Sequence, residues 1–484
     1  MIVKTCRKQK INALIATVAF SIVLVCHSAS SPIGAGHDVD FHIANIWCGW
    51  GEQPGLCENQ GPLDGVQSAE VPFMFLMCNG RPIDSFPECD FNAEHSDTQF
   101  LRTQSGSNQN LYYKIMHVFA SGEPTTGVIR IRIFNSLLTS LILFLILTLS
   151  TRRLKFAGLA AMSFTLIPNF LLYVTSINPR SWAILSVSTS WIFLFSYLDA
   201  RDDPPRLRHR RLIAFAFVAS LAFATRIDAS IMVLVTSALV YLSCRFRPKL
   251  PGRKASLTGL ALIAFTSIGL QFFPRISALF SLGIPQGFGY LQYTIFLIVH
   301  IPEFVADWWG YSVGQSGSGP GIVGIVGLLL FLTSLVFALQ KSDFRQRTVF
   351  SIFSFIVFVM LTKSTIAIGG IIPAPGAYSL GLAAPWLGVT IAFSKTGFQF
   401  MSSSGNRKVA ISLLSFTHAI SFYSLMEFYT RRGDGIGFYQ NLSLNGSWWW
   451  DTWISPNFVF LSGVIFFPIF LSYAWKSIPL EVQE

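Results

Sequence analysis

Residues 34 to 57 read GAGHDVDFHIANIWCGWGEQPGLC and place Asp38, Asp40 and His42 just past the first apolar run of the chain. A carboxylate there can act as a general base on an acceptor hydroxyl, hold a divalent cation that neutralises a phosphate, or cap a helix. The three side chains come as a set, which favours chemistry at this position. In helical register Asp38, His42 and Asn45 fall at i, i+4 and i+7 on one face, while Phe41, Ala44 and Trp47 share another. Asp38 and Asp40 then point to different sides of the helix. Two carboxylates flanking one glycosidic bond, as hydrolysis requires, are a poor fit.

Cations recur at the ends of other apolar runs. VIRIRIFN carries Arg130, Arg132 and Asn135, ATRIDAS carries Arg226 and Asp228, and YTRRGDGIG carries Arg431 and Arg432. Arginine grips phosphate oxygens through two parallel N–H bonds, so these residues suit a lipid-borne phosphate. Headgroup anchoring explains Arg130 and Arg132 equally well, and Arg226 with Asp228 can equally form a self-neutralising turn. SINPRSW, with Asn178, Pro179 and Arg180, reads as a structural turn anchored by Trp182. Trp448 to Trp450 read as an aromatic belt.

The elements that must position these groups are membrane helices. The 484 residues are 52% hydrophobic and 12% charged, and apolar runs long enough to cross a bilayer core recur along the chain. Buried helices of a soluble protein are excluded because so many uninterrupted runs leave no polar face. The net charge of +11 does not point to nucleic acid, because its basic residues sit in short links between apolar runs. By the positive-inside rule those links face the cytoplasm. Threading the runs between them gives about twelve spans, near 11–30, 128–150, 156–175, 181–198, 211–226, 229–244, 256–274, 321–340, 348–364, 377–394, 409–428 and 457–475.

Three parts follow: a retained first span over 1–30, an extracytoplasmic loop over 31–127, and a multi-pass bundle over 128–484 with both termini cytoplasmic. The run at 290–310 does not fit the count and reads as an interfacial or re-entrant helix. The loop is acidic, with twelve carboxylates against Arg81, Arg102 and Lys114, a local net of −9. It also holds Cys48, Cys57, Cys78 and Cys89, an even set that suggests two disulfides. Three pairings are open and the local one, Cys48 with Cys57 and Cys78 with Cys89, is preferred. A four-cysteine zinc site competes but lacks a CxxC pair. LYYKIMHVF, 111–119, reads as an amphipathic helix on the membrane with Tyr112 and Tyr113 at the interface. No phosphate-binding loop, dinucleotide fingerprint, zinc-protease helix or nucleophile elbow is present in the sequence, which argues against an ATP-driven pump.

GHDVDFH with IWCGWGEQPGLCE, SNQNLYY, RIFN, TSINPRSWAI, ATRIDA, APGAYSLGLAAPWLG and RRGDGIG followed by WWWDTWISP, in that order, resemble the actinobacterial predicted membrane proteins grouped as domain of unknown function 2142. That group is similar in layout to the GT-C class of glycosyltransferases. The resemblance implies an all-α, GT-C-like polytopic protein of the cell membrane that transfers a sugar from a polyprenyl-phosphate donor to a cell-envelope glycan or glycolipid acceptor. It implies Asp38 as catalytic or metal-holding carboxylate, Asp40 and His42 as companions, and Arg130, Arg132, Arg226, Arg431 and Arg432 as holders of the donor phosphate. No cofactor is identified; a divalent cation fits the carboxylates, though no metal ligand set can be named.

Three departures from the pattern stand out. Val39 splits the acidic pair, Gln109 and Asn110 replace a Pro-Pro, and Ala377 precedes Tyr378 where the pattern has arginine. A lipid-linked sugar carrier, or flippase, and a non-catalytic envelope scaffold are the rival readings.

Overall fold

A computed structural model describes residues 2–32, 39–51, 53, 68–72, 98–102, 111–120, 124–165, 168–200, 202–245, 312–313, 317–318, 321–340, 347–348, 350–354, 380–394, 403–430, 441–443, 448, 450 and 454–478. Among these are the helices α1 Ile2–Ala29, α2 Val39–Trp47, α3 Leu111–Met116, α4 Pro124–Leu149, α5 Arg152–Thr165, α6 Pro168–Val174, α7 Arg180–Asp199, α8 Pro205–Phe223, α9 Ile227–Arg245, α10 Gly321–Leu339, α11 Leu380–Phe393, α12 Ser404–Thr430 and α13 Pro456–Lys476. The run at 290–310 and the span expected at 256–274 lie outside the described residues.

Seven of these helices, α1, α4, α7, α9, α10, α12 and α13, are long and apolar enough to cross a membrane. Hydrogen bonds between helix ends fix how the others lie among them. Asn12 of α1 donates to Lys476 O at the end of α13, so the two chain-terminal helix ends share one face, called the terminus end. Trp450 Nε1 donates to Ala29 O at the opposite, loop end. The helix α8 begins at the terminus end, where Arg211 donates to Leu149 O of α4 and Ser196 O of α7. It finishes at the loop end, where Ala224 O accepts from Tyr112 N. It therefore traverses the bundle, although its basic first turns, Arg206 to Arg211, lower its hydropathy.

The crossing expected over 156–175 is broken into α5 and α6, because proline cannot supply the amide that a continuous helix needs and Pro168 opens α6. The segment expected to cross over 377–394 appears as α11, 14 residues with Pro385 inside it. Its Gly388 lies under the indole of the fully buried Trp191, where any Cβ would overlap the ring. Gly158 on α5 similarly admits Ile192, and the two contacts seat α5 and α11 against α7. Serine and threonine hydroxyls inside the helices donate to the carbonyl four residues back, as in α4 at Ser136, Thr139 and Ser140. This lets polar residues lie in an apolar interior without orphan donors.

The loop differs from the all-helical expectation in one respect. Ser68–Pro72 and Thr98–Arg102 pair as an antiparallel ladder, β1 with β2, with Glu70 opposite Phe100, and this ladder packs on α2. A second short ladder joins Ser312–Val313 to Gly317–Ser318, β3 with β4.

Candidate functional site

The helix expected near Asp38 forms as α2, and none of its described side chains is exposed. Every side chain from His42 to Trp47 is buried. The apolar half packs Ile43, Ala44 and Trp47 into the core, and His42 is locked by a 2.9 Å bond between its Nδ1 and the Tyr113 hydroxyl. Asn45 is buried as well, so the shared face of His42 and Asn45 is an interior contact surface. Asp38 lies outside the described residues. Asp40 falls within α2, and its side chain is not among those described.

The helix α3 also corrects the sequence reading. Tyr112 and Tyr113 face the protein interior, where both are buried, and Leu111 and Lys114 take the outward face, as does Val118 just beyond the helix. The hydrophobic period was right and its phase was inverted, because each tyrosine finds a partner for its hydroxyl inside. Tyr112 donates its amide to Ala224 O at 2.9 Å and its hydroxyl to Ile177 O at 2.8 Å. Burial raises its phenol above the ordinary tyrosine range, so it stays a neutral donor.

Asn135 completes this knot. Its amide donates to Ser176 O at 2.7 Å, and its carbonyl accepts from Trp182 Nε1 at 2.9 Å. One short helix of the loop is thus pinned to the turn before α7 and the turn before α9.

Those two turns carry a charged pocket. Arg226 makes a forked bond to Asp228, Nε to Oδ1 at 3.0 Å and Nη2 to Oδ2 at 3.0 Å. Arg180, at the start of α7, lines the same pocket together with Ile184, Met232 and Gly381. Asn178 Oδ1 accepts from Arg180 N at 2.9 Å and fixes the residue at the helix start. Among the described residues, two guanidinium groups line the pocket with one carboxylate. Its free space is about 20 Å³, room for a water or two in its present shape. The sequence reading treated Arg180 as structural; the repeated pattern of arginine in a short turn, shared with ATRIDAS, was the signal that paired the two.

The remaining arginines divide. Arg132 is buried, and its guanidinium donates to Ser28 O, Ser31 O and Pro32 O at 3.1, 2.8 and 2.9 Å. It thereby caps the C-terminal end of α1, where unsatisfied carbonyls and the helix dipole both favour a cation. Arg130, two residues earlier, is exposed. Arg431 and Arg432 lie outside the described residues, as do Cys57, Cys78 and Cys89. Cys48 is buried, and the free thiols among the described residues are Cys26 and Cys244. No three metal-ligating side chains cluster among the described residues.

The structure brings His42, through Tyr113 and its neighbour Tyr112, to the same end of the bundle as Arg180, Arg226 and Asp228. This is a multi-pass helical membrane protein with a half-buried pocket of arginine and aspartate at its loop end. The chain belongs to the predicted membrane protein family DUF2142, whose sequence profile matches residues 20–363; the function of that family is unknown. No curated protein and no solved structure matches the chain.

Proposed function

We propose that the protein is a GT-C-like glycosyltransferase of the cell membrane, which moves a sugar from a polyprenyl-phosphate donor to a cell-envelope acceptor on the outer face. The observation that carries this reading is the pocket of Arg180, Arg226 and Asp228, which sets two arginines together at the loop end of the bundle. The donor phosphate displaces the resident water and competes with Asp228 for the Arg226 fork. Its leaving-group charge is then held by two guanidinium groups through charge-assisted bonds.

Asp38, with Asp40 nearby, takes the proton of the acceptor hydroxyl as the new glycosidic bond forms and the bond to phosphate breaks. His42 positions the helix beside it through Tyr113. Arg431 and Arg432 add to the phosphate field, and Arg130 steers the anionic lipid. Arg132 contributes through the cap on α1. A divalent cation held by Asp38 and Asp40 is compatible with this chemistry. In this reading the loop faces outward, both termini face the cytoplasm, and its four cysteines form two disulfides.

The test is transfer of radiolabelled sugar from a polyprenyl-phosphate donor by the purified protein. Arg180→Ala and Arg226→Ala are each expected to reduce transfer at least tenfold, and Asp38→Asn to abolish it. Transfer that survives Asp38→Asn removes the base assignment. Labelled lipid crossing liposomes without any transfer replaces the enzyme reading with a carrier.

A further inference from the structure

Two histidines lie inside the apolar bundle and take no part in the chemistry above. His27 is on the last turn of α1 and His418 is midway along α12, and their Nε2 atoms are 3.1 Å apart. They are 1% and 2% exposed. Phe422 packs on His27 with ring centroids 4.4 Å apart, and Phe467 of α13 stacks flat on His418 at 4.1 Å. Among the described residues neither Nδ1 atom has a hydrogen-bond partner.

Proton counting restricts what this pair can be. At 3.1 Å one Nε2 must carry hydrogen and the other must not. In the neutral pair the donor ring keeps a bare Nδ1, and the acceptor ring holds an Nδ1–H aimed at no acceptor. An added proton goes to the bare Nδ1 and leaves a full positive charge inside the bundle. The charged and titratable groups on the elements around the pair offer it no relief. Cys26 precedes His27 on α1. Arg132 of α4 is turned onto the carbonyls of Ser28, Ser31 and Pro32. On α12, Glu427 accepts from the Tyr423 hydroxyl, and Tyr429 lies further toward the loop end. From α13 the contact is the apolar Phe467, and from α6 Leu172 packs on the neighbouring cluster of Cys26 and Phe422. None of these groups bonds to either ring.

We propose that His27 and His418 form a proton-binding site that joins α1 to α12. With the pair neutral and its hydrogen shared, the two helices are held together across α13, on which both pack. One proton taken from water charges the pair, and the charged rings part to reach solvent. An intramembrane ionisable pair of this kind makes the bundle sensitive to acid.

The sign follows from where the charge is costly. An imidazolium is expensive in the closed pair and cheap once the seam opens or the chain unfolds. The closed state is therefore stable above the ordinary imidazole value of about 6.5 and weakens as pH falls below it.

The experiment is a pH titration of the full-length chain in lipid nanodiscs with ¹⁵N-labelled histidine, supported by thermal unfolding at each pH. The chain has eight histidines, and spectra of His27→Gln and His418→Gln assign the two signals by difference. Above pH 7 one Nε2 is expected as donor and the other as acceptor. As pH falls below about 6.5 the melting temperature should decline, and at the lower pH where the seam opens the two rings should change together with uptake of one proton. The double variant His27→Phe, His418→Phe should lose that part of the fall. Two neutral rings and a flat melting temperature down to pH 5 would overturn the proposal, as would two rings titrating independently. If the variants do not fold, coupled titration of two rings in the unaltered chain still decides.

Discussion

Buried arginine does two kinds of work in this chain, and side-chain surroundings separate them. Arg132 satisfies three carbonyls at the end of α1, and Arg211 does the same for Leu149 and Ser196 at the opposite end while paired with Asp203. Arg132→Gln is expected to cost about 2–3 kcal/mol, because charge-assisted bonds are lost and carbonyls are left unpaired. Arg130→Gln, at an exposed position, should change stability by less than about 0.5 kcal/mol. Thermal unfolding of the two variants side by side checks both. Within the pocket, Asp228→Asn frees the Arg226 fork and should tighten binding of inorganic phosphate several-fold, read by calorimetry. The residue types at these sites were legible in the sequence, since arginine and aspartate beside apolar runs stand out. Their roles were not, because the three carbonyls that Arg132 meets lie about a hundred residues earlier in the chain. The same holds for His27 and His418: each is visible as a histidine within an apolar run, and only the fold makes them a pair.

At the scale of elements, hydrophobic length located the crossings well and irregularities poorly. The runs that became α1, α4, α7, α9, α10, α12 and α13 were readable because lipid demands about twenty apolar residues. The break between α5 and α6 had a signal in Pro168 that a window average conceals. The ladder of β1 with β2 had none in periodicity, because strands of five residues are too short for alternation to register. The inverted phase of α3 shows a further limit: a tyrosine reads as interfacial until its hydroxyl finds a buried carbonyl, as Tyr112 does at Ile177. Close packing of α5, α7 and α11 turns on Gly388 beneath Trp191. Gly388→Val should displace the indole and cost about 1–3 kcal/mol by overpacking, seen as a lower melting temperature. The equivalent change at Gly405, where a Cβ meets nothing closer than 4.0 Å, should be nearly silent.

For the whole molecule, the bond from Asn12 to Lys476 O places the ends of α1 and α13 on one face. Reporter proteins fused to the two termini should therefore give the same compartment signal, and opposite signals would refute the arrangement. The helices α1 and α13 are among the most closely packed pairs in the bundle, although they stand at opposite ends of the sequence. During synthesis α1 is made well before α13, so Phe20 and its neighbours lack this contact until residues 456–476 follow. Phe470, which packs against Phe20 with ring centroids 4.5 Å apart, belongs to that later helix. Quality control in the membrane thus has a simple cue for an unfinished or truncated product: an α1 without its partner. A chain stopped before residue 456 should be cleared rapidly, and supplying α13 as a separate peptide should slow that clearance.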